Sequence, residues 1–203
     1  MYFRKRGFDN EAIKYSLLIA LTLLFTACNN AKSEYETPDK EAQATEIPTE
    51  IFSSQKIDKT ISEEEMDSSI KEYLDTFNAL EENTSKISER DGLSEKDQAN
   101  LNRLTKMAHK NDENFKHFIE SNQIPEQYEK GSFEVSDYVT SVNELMSKIN
   151  DKVNETKNES HSDKSKLKAI GEIEDLNAKY KDRVNGKKQE KVEQFLKKHD
   201  IKT

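Results

Sequence analysis

The chain has little with which to bend or staple itself. It contains one cysteine, five glycines, three prolines and no tryptophan in 203 residues. A lone cysteine cannot pair within its own chain, so no internal disulfide framework is available. With so few glycines and prolines, regular helix can run far between breaks. No uncharged run reaches the roughly 20 residues that a membrane-spanning helix needs. The P-loop, the Gly-x-Ser-x-Gly elbow, the His-Glu-x-x-His signature and the dinucleotide fingerprint are all missing. Convincing strand patterns are missing too. Hydrophobic residues make up 33% and charged residues 35%, which is too polar for a thick globular core. That balance suits long amphipathic helices, each with a narrow apolar stripe.

What is present begins at Ser16. From there to Ala27 the chain carries no charge, and it then meets its single cysteine, Cys28. Arg4, Lys5, Arg6 and Lys14 precede the run. A basic start, a short apolar core and a small residue before the cut have the layout of an export signal. Leu24, Phe25, Thr26 and Ala27, followed by Cys28, resemble the bacterial lipobox. Phe25 stands where leucine is more usual. The resemblance implies that the Cys28 thiol is joined to diacylglycerol, with a further N-acyl group as an option, and that residues 1–27 are removed. Two acyl chains, at about 0.8 kcal/mol per buried CH₂, suffice for stable attachment. The expected location is the extracytoplasmic face of the cell membrane.

Residues 28–203 then carry 28 basic and 38 acidic groups. The imbalance lies early: residues 29–99 hold 8 basic and 19 acidic groups, residues 100–203 hold 20 and 19. From Asn29 to about Lys59 the sequence is polar, contains Pro38 and Pro48, and shows no sustained period. It reads as a disordered tether. Three domains are therefore expected: a signal segment over 1–27, a lipidated cysteine and tether over 28–59, and a helical domain over 60–203.

The helical domain reads as an elongated antiparallel bundle of three to four long helices plus a short C-terminal one, an all-α fold. Ser62 and Glu65 have capping-box spacing, and Ile61 with Met66 fits a hydrophobic staple. Met66, Ile70, Tyr73, Phe77, Leu80, Thr84 and Ile87 then follow steps of four and three. Asp91-Gly92 is the expected stop. Ser94 opens a second helix with the stripe Leu101, Leu104, Ala108, Asn111, Phe115, Phe118 and Ile119, and Ile124-Pro125 closes it. Gly131-Ser132 reads as a turn. A third helix is expected from about Phe133 to Lys157, and a fourth from about Leu167 to Val184. Asn185-Gly186 is read as its stop. A short last helix carries Val192, Phe195 and Leu196, and Ile201 is expected to fold back onto its end.

The most distinctive internal segment is Asn111-Asp112-Glu113-Asn114-Phe115. With the lipobox, the size and the helical composition, it resembles a group of small Gram-positive lipoproteins named for an NDxxF motif. The resemblance implies a location and no activity. Asn111 falls on the apolar seam and Phe115 one turn on, so the motif is expected to be structural. An asparagine there fixes register at some cost, and leucine in its place should raise stability or change assembly. Asp112 is expected on the exposed side, paired with Lys116.

His109, Glu113 and His117 share a helix face at metal-binding spacing. That face points away from the stripe, so neither a metal nor another cofactor is expected. The acidic pairs, Glu81-Glu82 among them, read as solvated faces. The basic residues Lys179, Lys181, Arg183, Lys187 and Lys188 could meet an anionic wall polymer. Acids are interspersed and aromatics are not, which argues against nucleic acid. The reading is of a membrane-anchored lipoprotein with a binding or structural domain rather than an enzyme. Its partners would be the membrane, through the lipid, and another envelope protein or wall polymer.

Overall fold

The computed structural model describes residues 47–90, 93–158 and 163–203. Within them lie five α-helices and no named strand: α1 Glu63–Ser88, α2 Glu95–Glu120, α3 Glu126–Asn158, α4 Asp163–Tyr180 and α5 Gly186–Lys198. The three long helices pack together as an all-α bundle. The lipobox residues Leu24, Phe25, Thr26, Ala27 and Cys28 lie outside the described residues, as does the Asp91-Gly92 stop.

Helix ends follow from their caps. The Ser62 hydroxyl accepts the Glu65 N–H at 3.2 Å, which satisfies one of the orphan donors at the start of α1. The box is only half made, because the Glu65 carboxylate is engaged by Lys56 instead. The complete box is at α2, where the Asp97 N–H donates to Ser94 Oγ at 3.1 Å and the Ser94 N–H donates to Asp97 Oδ2 at 3.0 Å. Helix α4 was expected to reach Val184 and stop at Asn185-Gly186, but it ends at Tyr180, and Asn185 belongs to the next helix. Its side chain accepts the Lys188 N–H at 3.0 Å, so it is the N-cap of α5. At the far end Asp200 takes the left-handed conformation, φ 53°. The Ile201 N–H then reaches back to Leu196 O at 3.0 Å, a Schellman-type ending.

The seam of α1 is buried as its spacing requires, with Met66, Ile70, Tyr73, Phe77, Leu80 and Ile87 all inside. Thr84, its weak member, turns its hydroxyl back to Leu80 O at 2.9 Å. Contacts show α1 and α2 to be antiparallel: Ile61 meets Gln123, Tyr73 meets Asp112, and Leu80 and Ile87 cluster with Leu101 and Leu104. Helix α3 returns antiparallel to α2. Its start is tied to the start of α1, with Tyr128 Oη donating to Asp67 at 2.6 Å and Gln127 Nε2 donating to Glu63 at 2.6 Å.

The expected turn at Gly131-Ser132 does not exist. Both residues are buried inside α3, which starts directly after Pro125 rather than at Phe133. Glycine is used there for its missing side chain: a Cβ on Gly131 would stand 2.1 Å from Phe195 Cδ2. Helices α4 and α5 act as one broken fourth helix antiparallel to α3. Lys148 and Lys152 of α3 meet Tyr180 and Glu172 of α4. Nearer the start of α3, Tyr128 and Glu134 meet Phe195 and Lys191 of α5.

Disorder was expected as far as Lys59, and here the structure differs. Residues 47–61 form a non-helical strap laid along α1 and α2. Ile47 packs against the Leu80–Ile87–Leu101–Leu104 cluster, and Phe52 is 2% exposed. Further on, Asn122 Nδ2 donates to Lys56 O at 2.9 Å and Asn122 Oδ1 accepts the Lys59 N–H at 3.0 Å. A parallel bridge between Thr60 and Gln123 finishes the strap. Such a segment carries no helical or strand period, because two apolar anchors and the side chains of Asn111, Asn114 and Asn122 hold it.

Candidate functional site

Helix α2 lies between α1 and α3, so its sequence must serve two buried faces. Asn111-Asp112-Glu113-Asn114-Phe115 is the segment where both faces are polar as well as apolar. Asn111 is fully buried. Its Oδ1 accepts the Phe52 N–H at 2.9 Å and its Nδ2 donates to Tyr73 O at 3.2 Å. Asn114 Nδ2 donates to Phe52 O at 2.7 Å. The two asparagines thus take both backbone groups of one strap residue, as a neighbouring strand would, and meet the demand that buried backbone be paired. The Phe52 ring meets Phe115 edge-on at 5.4 Å and Phe118 at 5.5 Å. Phe115 in turn stacks on Tyr73 at 4.2 Å.

Asp112 was expected on the exposed side with Lys116. It is 4% exposed and faces α1 and α3 instead. Tyr73 Oη donates to its Oδ1 at 2.8 Å and Asn143 Nδ2 donates to its Oδ2 at 2.9 Å. Burial pushes its carboxyl up to about 6, against the pull of those two hydrogen bonds and of His109, with Glu144 adding to the rise. Burial, and then Asp112, hold the Tyr73 phenol well above its usual value. Asn111 and Asn114 thus clasp the strap to α2, while Asp112 joins α2 to α1 and α3. Only Glu113 of the five stands in solvent.

A second polar feature lies one to two turns away. Phe77, Leu80, Glu81, Leu104, Val142 and Met146 help to line a cleft among α1, α2 and α3 with a volume of about 40 Å³. Glu81 was read as part of a solvated face, yet its Oε1 is buried and has no hydrogen-bond partner. Burial first, then the neighbouring Glu82 and Glu89, push its carboxyl up to about 7. The signal was in the sequence: Glu81 directly follows the seam residue Leu80 and stands one turn after Phe77.

His109 is half-buried, while Glu113 and His117 are exposed. Among the described residues no group of three histidine, cysteine or acidic side chains could hold a metal. Lys179, Lys181, Arg183, Lys187 and Lys188 are all exposed and gather at the α4–α5 corner. Arg183 there donates to Glu144 at 3.1 Å and lies over the Tyr180 ring. Among the described residues no helix is long and apolar enough to cross a membrane.

These features define an all-α bundle of three long helices with a broken fourth and a clasped N-terminal strap. No family model, curated protein or solved structure matches the chain.

Proposed function

We propose that the protein is an extracytoplasmic lipoprotein whose helical bundle is a binding or structural module held at the membrane surface. The observation that carries the reading is the start of the chain. Arg4, Lys5, Arg6 and Lys14 precede an uncharged run that ends at the only cysteine, in a sequence resembling a lipobox. In this reading Cys28 bears diacylglycerol, and its two acyl chains anchor the protein.

The likeness of Asn111–Phe115 to the NDxxF-motif lipoproteins belongs to this reading. The clasp gives such a motif a physical task, which is to hold the incoming chain.

Mass spectrometry of native protein, with fractionation of the wild type and Cys28→Ser, tests the proposal. The wild type should be membrane-bound, begin at Cys28 and carry acyl mass, and the variant should lose both attachment and lipid. A free sulfhydryl at Cys28, or a product that keeps Met1, overturns it. The exposed basic corner from Lys179 to Lys188 favours a second reading, binding to an anionic wall polymer. Retention on purified wall material that falls steeply with salt would support that reading.

A further inference from the structure

The buried, unpartnered Glu81 oxygen stands in a cleft whose other lining residues are uncharged among the described residues. That oxygen has given up water without gaining a hydrogen bond in return. Burial is the first cause of its high proton affinity, and the groups around it add to the effect. Glu82 and Glu89 on its own helix repel it, while α2 and α3 present only apolar and neutral polar side chains to the cleft. No lysine or arginine lines the cleft to neutralise it.

The remaining walls describe what would. Leu104, Val142 and Met146 form apolar surface. Thr105, Ser147 and Asn150 supply hydroxyl and amide oxygens. Asn143 also lines the cleft; its Nδ2 donates to Asp112, and its amide carries an acceptor oxygen as well. One anionic oxygen, several neutral acceptors and an apolar wall match an ammonium group on a short hydrocarbon. They do not match a divalent cation, which prefers a shell of several carboxylates or waters. The volume of about 40 Å³ holds only a few water-sized groups.

We propose that the cleft around Glu81 binds a small primary ammonium ion, with the charge on Glu81 and a short alkyl chain against Leu104, Val142 and Met146. This site is independent of Cys28 and of the lipid anchor. The carboxylate must be ionised to bind, so affinity should rise with pH.

The test uses the full-length chain in detergent, titrated with n-butylammonium chloride and followed by ¹H–¹³C NMR of its methyl groups. At pH 8 the methyls of Met146, Val142 and Leu104 should shift saturably. At pH 5.5 the affinity should be roughly 30-fold lower, as expected for a carboxyl that titrates at about 7. Neither n-butanol nor sodium butyrate should reproduce the shifts. E81Q, which keeps the shape and removes the charge, should abolish binding without lowering the melting temperature. Absence of saturable shifts, equal binding of butanol, pH-independent affinity, or full binding to E81Q would each overturn the proposal. The pH and butanol comparisons use only the wild type, so a badly folded E81Q does not remove the test.

Discussion

The backbone N–H of Phe52 donates to Asn111 Oδ1 at 2.9 Å across fifty-nine residues of sequence. That bond joins a segment with no regular structure to the middle of the central helix. It also sets the meaning of the buried asparagine. Asn111 pairs with no residue of its own type on a neighbouring helix. It satisfies the backbone of the strap on one side and of α1 on the other.

Replacement of Asn111 by leucine should therefore destabilise the protein, the reverse of what a register role predicts. Leucine would leave the Phe52 N–H and the Tyr73 C=O without their side-chain partner. The stranded Phe52 N–H costs about 1–3 kcal/mol, while the Tyr73 C=O keeps its partner within α1 and loses only a second bond; added apolar burial offsets part of the loss. A net loss of about 2 kcal/mol corresponds to a fall in Tm of roughly 4–8 °C for a chain of this size. Thermal unfolding followed by circular dichroism, with the assembly state checked by light scattering, measures it. A gain in Tm, or a new oligomer, would restore the register explanation.

Phe52→Ala should release the strap while leaving the bundle helical. The ring is 2% exposed and meets Phe115 and Phe118 edge-on. Truncation of a core phenylalanine costs about 3–5 kcal/mol, and here the strap can lift away and so limit the loss. Lys56 and Lys59, whose backbone groups bond to Asn122 in the docked form, should become targets for trypsin. Limited proteolysis should cut there well before any site in α1 or α2, and far-UV circular dichroism should barely change.

Much of the bundle was legible because a helical seam is a local, periodic signal. Met66 to Ile87, Leu101 to Ile119 and Val135 to Ile149 each repeat in steps of three and four, and burial follows them closely. What escaped were the positions set by a second neighbour. Asp112 lies about 100° around the helix from Asn111, off the single stripe that a surface helix would bury. Because α2 is flanked by α1 and α3, its buried arc is wider, and both Tyr73 and Asn143 reach Asp112. Glu81 was hidden for the same reason. Gly131 was misread because glycine signals a turn when its φ freedom is used, and α3 uses its small volume instead.

Gly131→Ala offers a sharp check on that last point. In a helix interior alanine is favoured over glycine by roughly 1 kcal/mol. At this site the new methyl would meet the Phe195 ring at 2.1–2.6 Å. Overpacking of this kind typically costs about 1–3 kcal/mol, so the substitution should be net destabilising. In a Phe195→Ala background the clash disappears, and the same change should become stabilising. A double-mutant cycle by urea unfolding should therefore show strong coupling between the two sites. Additive effects would mean that α5 does not press on α3 as described.

The pH dependence of stability should run against the common pattern. Glu81 titrates at about 7 and Asp112 at about 6, both raised chiefly by burial. A carboxyl whose folded pKa exceeds its unfolded value holds its proton more tightly in the native state. Its contribution is complete below the unfolded value, near 4, and is lost as pH rises through the folded value. Each group can account for up to about 3 kcal/mol over that window. Asp97 and Glu144 act in the opposite sense, since Ser94 and the Tyr180–Arg183 pair hold them below the usual carboxylate range despite some burial of Glu144. Their contribution is lost only in more acid solution. Stability should thus peak near pH 4.5–5 and decline toward pH 8, and Glu81→Gln should flatten the upper part of that decline. Urea midpoints measured at half-unit steps from pH 4 to pH 8 provide the comparison. A profile that rises through this range would show that Glu81 and Asp112 are solvated, and the buried polar layer among α1, α2 and α3 would have to be redrawn.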